Sequence, residues 1–305
     1  MNTPRARANR WESGRFGVVS DSEAWREIIR AYYNDEMGPA WAAAQEINAG
    51  NAGWALDWFR LIEGEGLARE NGQIREIGPH LRLETIPEQV PLPEAVGEVI
   101  LRACDDVSSR LGWTFEAPVL ATILPAEIDA PWHEARYGYA MDKYPYDKIC
   151  LPWAATQNHE ELWAVAAHEF AHIVTINFTG NRAPHWVEEG VSMLMERRPL
   201  LDPSFWMSPA EIESAFAVDR REPGTMSRVG DAYRQSHRLL HFLMDQKGDE
   251  GLRQFLHAFM NNGLWTEIRI NVFGEPSVQE AVLEVFGITV DELFAAAKPN
   301  QANIS

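Results

Sequence analysis

The sequence predicts an α+β protein: a small mixed sheet, one long buried helix, a mainly helical C-terminal part and an additional helical region at the N-terminus. Three observations predict it. Short strand-like apolar runs, such as Val119–Leu124 and Lys148–Pro152, are confined to the middle of the chain. Helical spacing of apolar residues fills most of what precedes and follows them. Between the two regimes, residues 158–179 contain neither Gly nor Pro, and Leu162, Val165, Ala166, Phe170 and Ile173 supply the contacts that fix a helix in a core.

Taken in order, residues 1–20 read as a flexible, basic leader with no apolar signal core behind it. The N-terminal helical region spans 21–92. A helix starts at Asp21 or Ser22 and lines up Trp25, Ile28, Ile29, Tyr32 and Tyr33 on one side. A second helical stretch covers roughly 38–64 and carries Trp41, Ile47, Trp54, Trp58, Phe59, Leu61 and Ile62, which core packing explains better than a ligand surface. Residues 65–92 are polar and punctuated by glycine, with a short strand around Leu81–Ile86.

The next segment, 93–180, opens with Pro93 at the start of a helix to about Leu111, with Val96, Val99, Ile100, Cys104 and Val107 facing inward. Val119–Leu124, Ala135–Met141 and Lys148–Pro152 read as strands, the last two joined by residues 142–147. Asn158 then caps the long helix, with Glu161 in the capping-box position. In the helical segment 181–298, Pro184 precedes a second helix after the turn-forming Thr179–Arg182, and Ser208–Glu211 starts another. A polar loop occupies 219–229, and helix follows from Asp231 through Leu243 and again around Leu252–Met260. Ser277–Glu280 and Thr289–Glu292 are two further capping-box starts flanking Gly287, and 299–305 should fray.

Composition narrows the function classes. With 305 residues, 46% apolar content and twelve tryptophans, the chain has ample material for a core. A formal net charge of -18 argues against nucleic acid or anionic membrane lipid as the main partner. No apolar stretch is long enough to span a bilayer, so a cytoplasmic setting is the default expectation. Two well-separated cysteines, Cys104 and Cys150, exclude a cysteine-rich structural zinc site.

Chemistry concentrates in His168-Glu169-Phe170-Ala171-His172. Histidines four apart on a helix stand one turn above the other, so both rings can reach one ion. Glu169 points slightly around the helix and can polarise a water bound to that ion. Imidazole ligands with a neighbouring carboxylate base are what a metal hydrolase needs, which makes a zinc-dependent peptidase the leading expectation. A second helix carrying Trp186-Val187-Glu188-Glu189-Gly190 could bring a carboxylate to the third coordination position and leave the fourth open.

His168-Glu169-x-x-His172 followed by Trp186-x-x-Glu189-Gly190 resembles the gluzincin metallopeptidases, thermolysin-like and M1-aminopeptidase-like enzymes of the peptidase MA group. The resemblance implies a zincin-like catalytic domain, with an upper lobe bearing the sheet and active helix and a helical lower lobe. It implies Zn²⁺ held by His168, His172 and Glu189, with Glu169 as general base. Glu188 stands where the aminopeptidase-like branch often has asparagine. In such relatives an exposed strand edge binds the substrate backbone, a role that would fall here to Ile149, Cys150 and Leu151. Gly138-Tyr139-Ala140-Met141 is only faintly similar to the motif by which M1 aminopeptidases grip a free amino terminus, with Tyr139 as an insertion. An oxyanion donor is also needed, for which Tyr233 is the first choice and His237, one turn on, the second.

The expected activity is therefore hydrolysis of a peptide or protein substrate. Two other readings compete: a non-catalytic binding module on the same fold, and a zinc hydrolase of a non-peptide amide. The sequence leaves the oligomeric state and the role of the tryptophan-rich N-terminal region open.

Overall fold

A computed structural model describes residues 23–47, 54–128, 138–141, 146–216, 225–259 and 277–299. The expected leader, the tail beyond residue 299, strand residues 135–137, loop residues 219–224 and Met260 lie outside them. The chain divides into two compact units, Met1–Cys104 with Phe115–Glu169, and Asp105–Thr114 with Phe170–Ser305. The partition falls inside two unbroken helices, α4 (Pro93–Leu111) and α5 (His159–Thr179).

The first unit begins with α1 (Glu23–Tyr33), α2 (Met37–Ile47) and α3 (Trp54–Asn71). Trp25, Ile28, Ile29 and Tyr32 are buried, as their spacing predicts, and share one cluster with Leu61 and Ile62 of α3. The sequence suggests that helix ends near residue 64, but α3 continues through Gly64 and Gly66 to Asn71. Packing explains the difference: a Cβ on Gly66 would lie 2.8 Å from Cγ of Trp41, so the glycine admits the neighbouring helix.

The sheet contains β1 (Gln73–Ile77), β2 (Leu81–Thr85), β3 (Val119–Leu124), β4 (Tyr139–Met141) and β5 (Lys148–Pro152), in the order β1-β2-β3-β5-β4. The β2–β3 and β3–β5 pairs are parallel, and the outer β1–β2 and β4–β5 pairs are antiparallel, giving a mixed sheet. Six consecutive buried residues in β3 are what a central strand covered on both faces requires.

One face of this sheet carries a polar row. Glu84, Thr122 and Cys150 are cross-strand neighbours on β2, β3 and β5, Tyr139 pairs with Cys150, and Lys148 lies two residues before it on the same face. Residues of α1, α3 and the adjoining turn close over it. Lys148 Nζ stands 2.5 Å from Glu65 and 3.7 Å from both Glu84 and Asp35. Arg69 binds Glu84 and reaches Asp35 at 2.9 Å, and Thr122 donates to Glu84 at 2.7 Å. Burial alone would lower the Lys148 pKa, but Glu65 and the other acidic neighbours outweigh it and raise it above the ordinary lysine value.

In the second unit, the later part of α5 is followed by α6 (His185–Met195), α7 (Pro209–Phe216), α8 (Thr225–Ala258), α9 (Val278–Phe286) and α10 (Val290–Ala296). The turn between α5 and α6 places Gly180 and Asn181 at positive φ, matching the punctuation seen in the sequence. α8 breaks at Gly248, where φ is 64°. α6 lies close against α8 at Gly190, where a Cβ would come within 2.6 Å of Ser236 O and of Leu240 Cδ2. Both C-terminal capping boxes form in full, Ser277 with Glu280 and Thr289 with Glu292.

The segment between α6 and α7 has no regular structure, yet α8 holds it at three points. Asp231 accepts from the Ser204 amide at 2.8 Å, and Arg238 pairs with Asp202. The Gln235 side chain both accepts from the Met207 amide and donates to the Met207 carbonyl, at 2.7 Å each. No helix among the described residues is long and apolar enough to cross a membrane.

Candidate metal centre

Asn158 starts α5 as the sequence predicts: its Oδ1 accepts from the amides of Glu160 at 2.8 Å and Glu161 at 3.3 Å. From that start α5 runs unbroken through residues 168–172, with Leu162, Val165, Ala166, Phe170 and Ile173 all buried. The helical period stacks His168 and His172 on one stripe and turns Glu169 about 100° from His168.

Glu189 belongs to the first turns of α6, where Pro184 precedes the helix. Trp186, 2% exposed, packs edge-on against Phe294, the packing role its position suggests. Glu188 is fully buried, whereas the Glu189 side chain is 16% exposed and its Oε2 lies 3.4 Å from His172 Nε2. Adjacent helix positions thus separate the two carboxylates, as the 100° step requires.

One donor atom from each of His168, His172 and Glu189 lies within 4.8 Å of the other two. Two ligands on a tetrahedral zinc at bond lengths of about 2.0–2.2 Å stand roughly 3.3–3.5 Å apart. The His172–Glu189 separation of 3.4 Å falls in that range. Two imidazoles and one carboxylate form a borderline-soft donor set suited to zinc, and three protein ligands leave a fourth position for water or substrate. The residues present therefore fit the ion.

Glu169 is buried, 4% exposed, and lies against Gly138, the residue just before β4. A Cβ on Gly138 would lie 2.9 Å from Glu169 Cγ and 3.2 Å from its Oε1, and would also strike the Cys150 carbonyl. Any larger residue at 138 would therefore occupy the space of the carboxylate. Nothing in the pentapeptide signals this neighbour; the glycine immediately before β4 is the only trace of it in the sequence.

The other candidates separate. Ile149, Cys150 and Leu151 do not form a free edge: β5 is hydrogen-bonded to β3 on one side and to β4 on the other. All three side chains are fully buried, so the expectation that this strand receives a substrate backbone is corrected. The outer strand is β4, Tyr139–Met141, antiparallel to β5. His185, a conceivable rival ligand, binds Glu213 through Nδ1, and its own amide donates to the same carboxylate at 3.1 Å.

Tyr233 and His237 stand one turn apart on α8, the helix that α6 approaches at Gly190. The Tyr233 ring meets Phe216 edge-on at 5.3 Å. His237 is buried, with its ring 6.3 Å from that of His241. Desolvation and then His241 push its pKa down to about 4, against a smaller opposing pull from Glu196, so at neutral pH it is an uncharged imidazole with one N–H to donate.

No protein-family model matches the chain, and no curated protein or solved structure matches it either.

Proposed function

We propose that this chain is a zinc-dependent peptidase of the gluzincin type, with a zincin-like catalytic fold and a peptide or protein substrate. The observation that carries the reading is the convergence of His168, His172 and Glu189 donor atoms within 4.8 Å, on two helices that also present Glu169. His168, His172 and Glu189 would hold the ion. Zinc, when bound, supplies Lewis acidity that polarises a carbonyl and makes water acidic near neutral pH.

The protein's own groups supply the rest. Glu169 accepts a proton from the attacking water and returns it to the leaving amine. Its buried seat against Gly138 holds the carboxylate in one place and limits competing solvent. Tyr233, or His237 one turn further along α8, would donate a hydrogen bond to the oxygen on which charge develops. Among the described residues β4 is the outermost strand on its side of the sheet, and an extended substrate would add along its edge as a further strand.

Metal content and turnover measured together test the reading. Wild-type protein should hold one zinc per chain and cleave peptides from an unbiased library. Glu169→Gln should keep the zinc and lose roughly 10²–10⁴-fold in turnover. Glu189→Ala should lose both. A wild type that takes up no zinc, or a Glu169→Gln variant as active as its parent, would end the proposal.

A further inference from the structure

The helical layer formed by α1–α3 takes no part in the chemistry above, yet one of its carboxylates reaches the strand beside the general base. Glu65 of α3 is fully buried. Its Oε1 accepts from the Tyr139 hydroxyl at 3.0 Å and from the Tyr32 hydroxyl, while Oε2 faces Lys148 Nζ at 2.5 Å. Both phenols are held well above their ordinary pKa, first by burial, then at Tyr32 by Glu65 and at Tyr139 by Cys150 and Glu65, so both remain donors.

Tyr139 is the first residue of β4. Alternation along a strand sends the Tyr139 and Met141 side chains to the helical layer and turns positions 138 and 140 the other way. On that other side the Cα of Gly138 is the surface on which the Glu169 carboxylate rests. A single peptide unit therefore separates the anchor at Glu65 from the wall behind Glu169. Among the described residues β4 is three residues long and pairs with β5 alone, a short ladder that fixes it weakly. A hydroxyl bonded to a buried, ion-paired carboxylate adds the missing constraint.

The geometry points to Glu65 and Tyr139 as positioning residues that hold β4 against the Glu169 carboxylate. The catalytic consequence rests on the peptidase reading; the mechanical one, that the Tyr139 hydroxyl immobilises β4, does not. A displacement of about 1 Å at a reacting group can lower turnover roughly a hundredfold, which sets the scale on which such an anchor matters. Tyr32 supplies an internal control, because it binds the same oxygen from α1 and not from the strand.

The test compares zinc-loaded, full-length Tyr139→Phe and Tyr32→Phe by amide hydrogen exchange over 138–141, by zinc content and by kcat and KM on a cleaved peptide. Tyr139→Phe should speed exchange in β4 roughly tenfold and lower kcat by a similar factor, with zinc content unchanged. Tyr32→Phe should leave β4 exchange near the parent value. Unchanged β4 exchange in Tyr139→Phe, or an equal rise in Tyr32→Phe, would overturn the proposal. Gly138→Ala approaches the same contact from the opposite side: kcat should fall with zinc retained, and full activity would remove the link to Glu169. If the zinc-loaded parent cleaves nothing, the peptidase reading fails and the exchange comparison alone decides the strand anchor.

Discussion

Around Glu65, three carboxylates meet Lys148 and Arg69, so the chain itself supplies the cations that compensate buried negative charge. Around Glu189, one carboxylate meets two imidazoles, which are lone-pair donors in their neutral form. The first group is complete within the polypeptide, and its natural role is to join helices to sheet. The second is a set of ligands whose geometry suits an ion from outside. Both lie largely out of solvent, and among the described residues what separates them is the presence of lysine and arginine. Buried charge alone therefore does not mark a site; the type of partner does.

Removing Lys148 would break this contrast most sharply. Lys148→Met should destabilise the protein by about 3–5 kcal/mol, because Glu65 and Glu84 lose a buried counter-charge, while zinc content stays intact. Urea denaturation of metal-free protein reads the first effect, and metal analysis the second. The metal centre should behave in the opposite manner. Zinc at about a hundred times its dissociation constant should stabilise the parent by about 2.7 kcal/mol and leave Glu189→Ala unmoved, as thermal shifts with and without the ion would reveal. Equal zinc stabilisation of both proteins would remove Glu189 from the ligand set.

A smaller effect tests how the third ligand is held. Gly190→Ala forces a methyl against Ser236 O and Leu240, and should destabilise by about 1–3 kcal/mol through overpacking. Because residue 190 adjoins Glu189, zinc affinity should fall with stability in this variant. Lys148→Met should lose stability with zinc affinity unchanged.

Local chemistry was readable from the sequence wherever it decides the outcome. Pro93 and Leu111 bound α4, Asn158 caps α5, and the Ser277 and Thr289 capping boxes form as their spacing implies. His168 and His172 were legible because helical geometry alone sets their separation. Glu189 needed a resemblance to pick it from Glu188, since chain-local rules cannot say which of two adjacent carboxylates turns toward the histidines. β1, Gln73–Ile77, is not legible in the sequence because it is a largely exposed outer strand without apolar alternation. Strand order is not legible either. β4 and β5 are both short and apolar, and which one lies outermost depends on pairing with residues far away in the chain. The one hint of the buried charge layer was Lys148, a lysine heading an otherwise apolar strand.

The stretch from Asp202 to Met207 contains Pro203, is flanked by Pro199 and Pro209, and exposes Phe205, features that usually mark a pliable surface loop. Its fastening by Asp231, Gln235 and Arg238, spaced four and three residues apart along α8, ties it to one stripe of a long helix. Irregular backbone is here held by side chains in place of a regular ladder. A protease searching the native surface for a place to nick would find its sequence preference satisfied there but its need for a locally unfolded stretch denied.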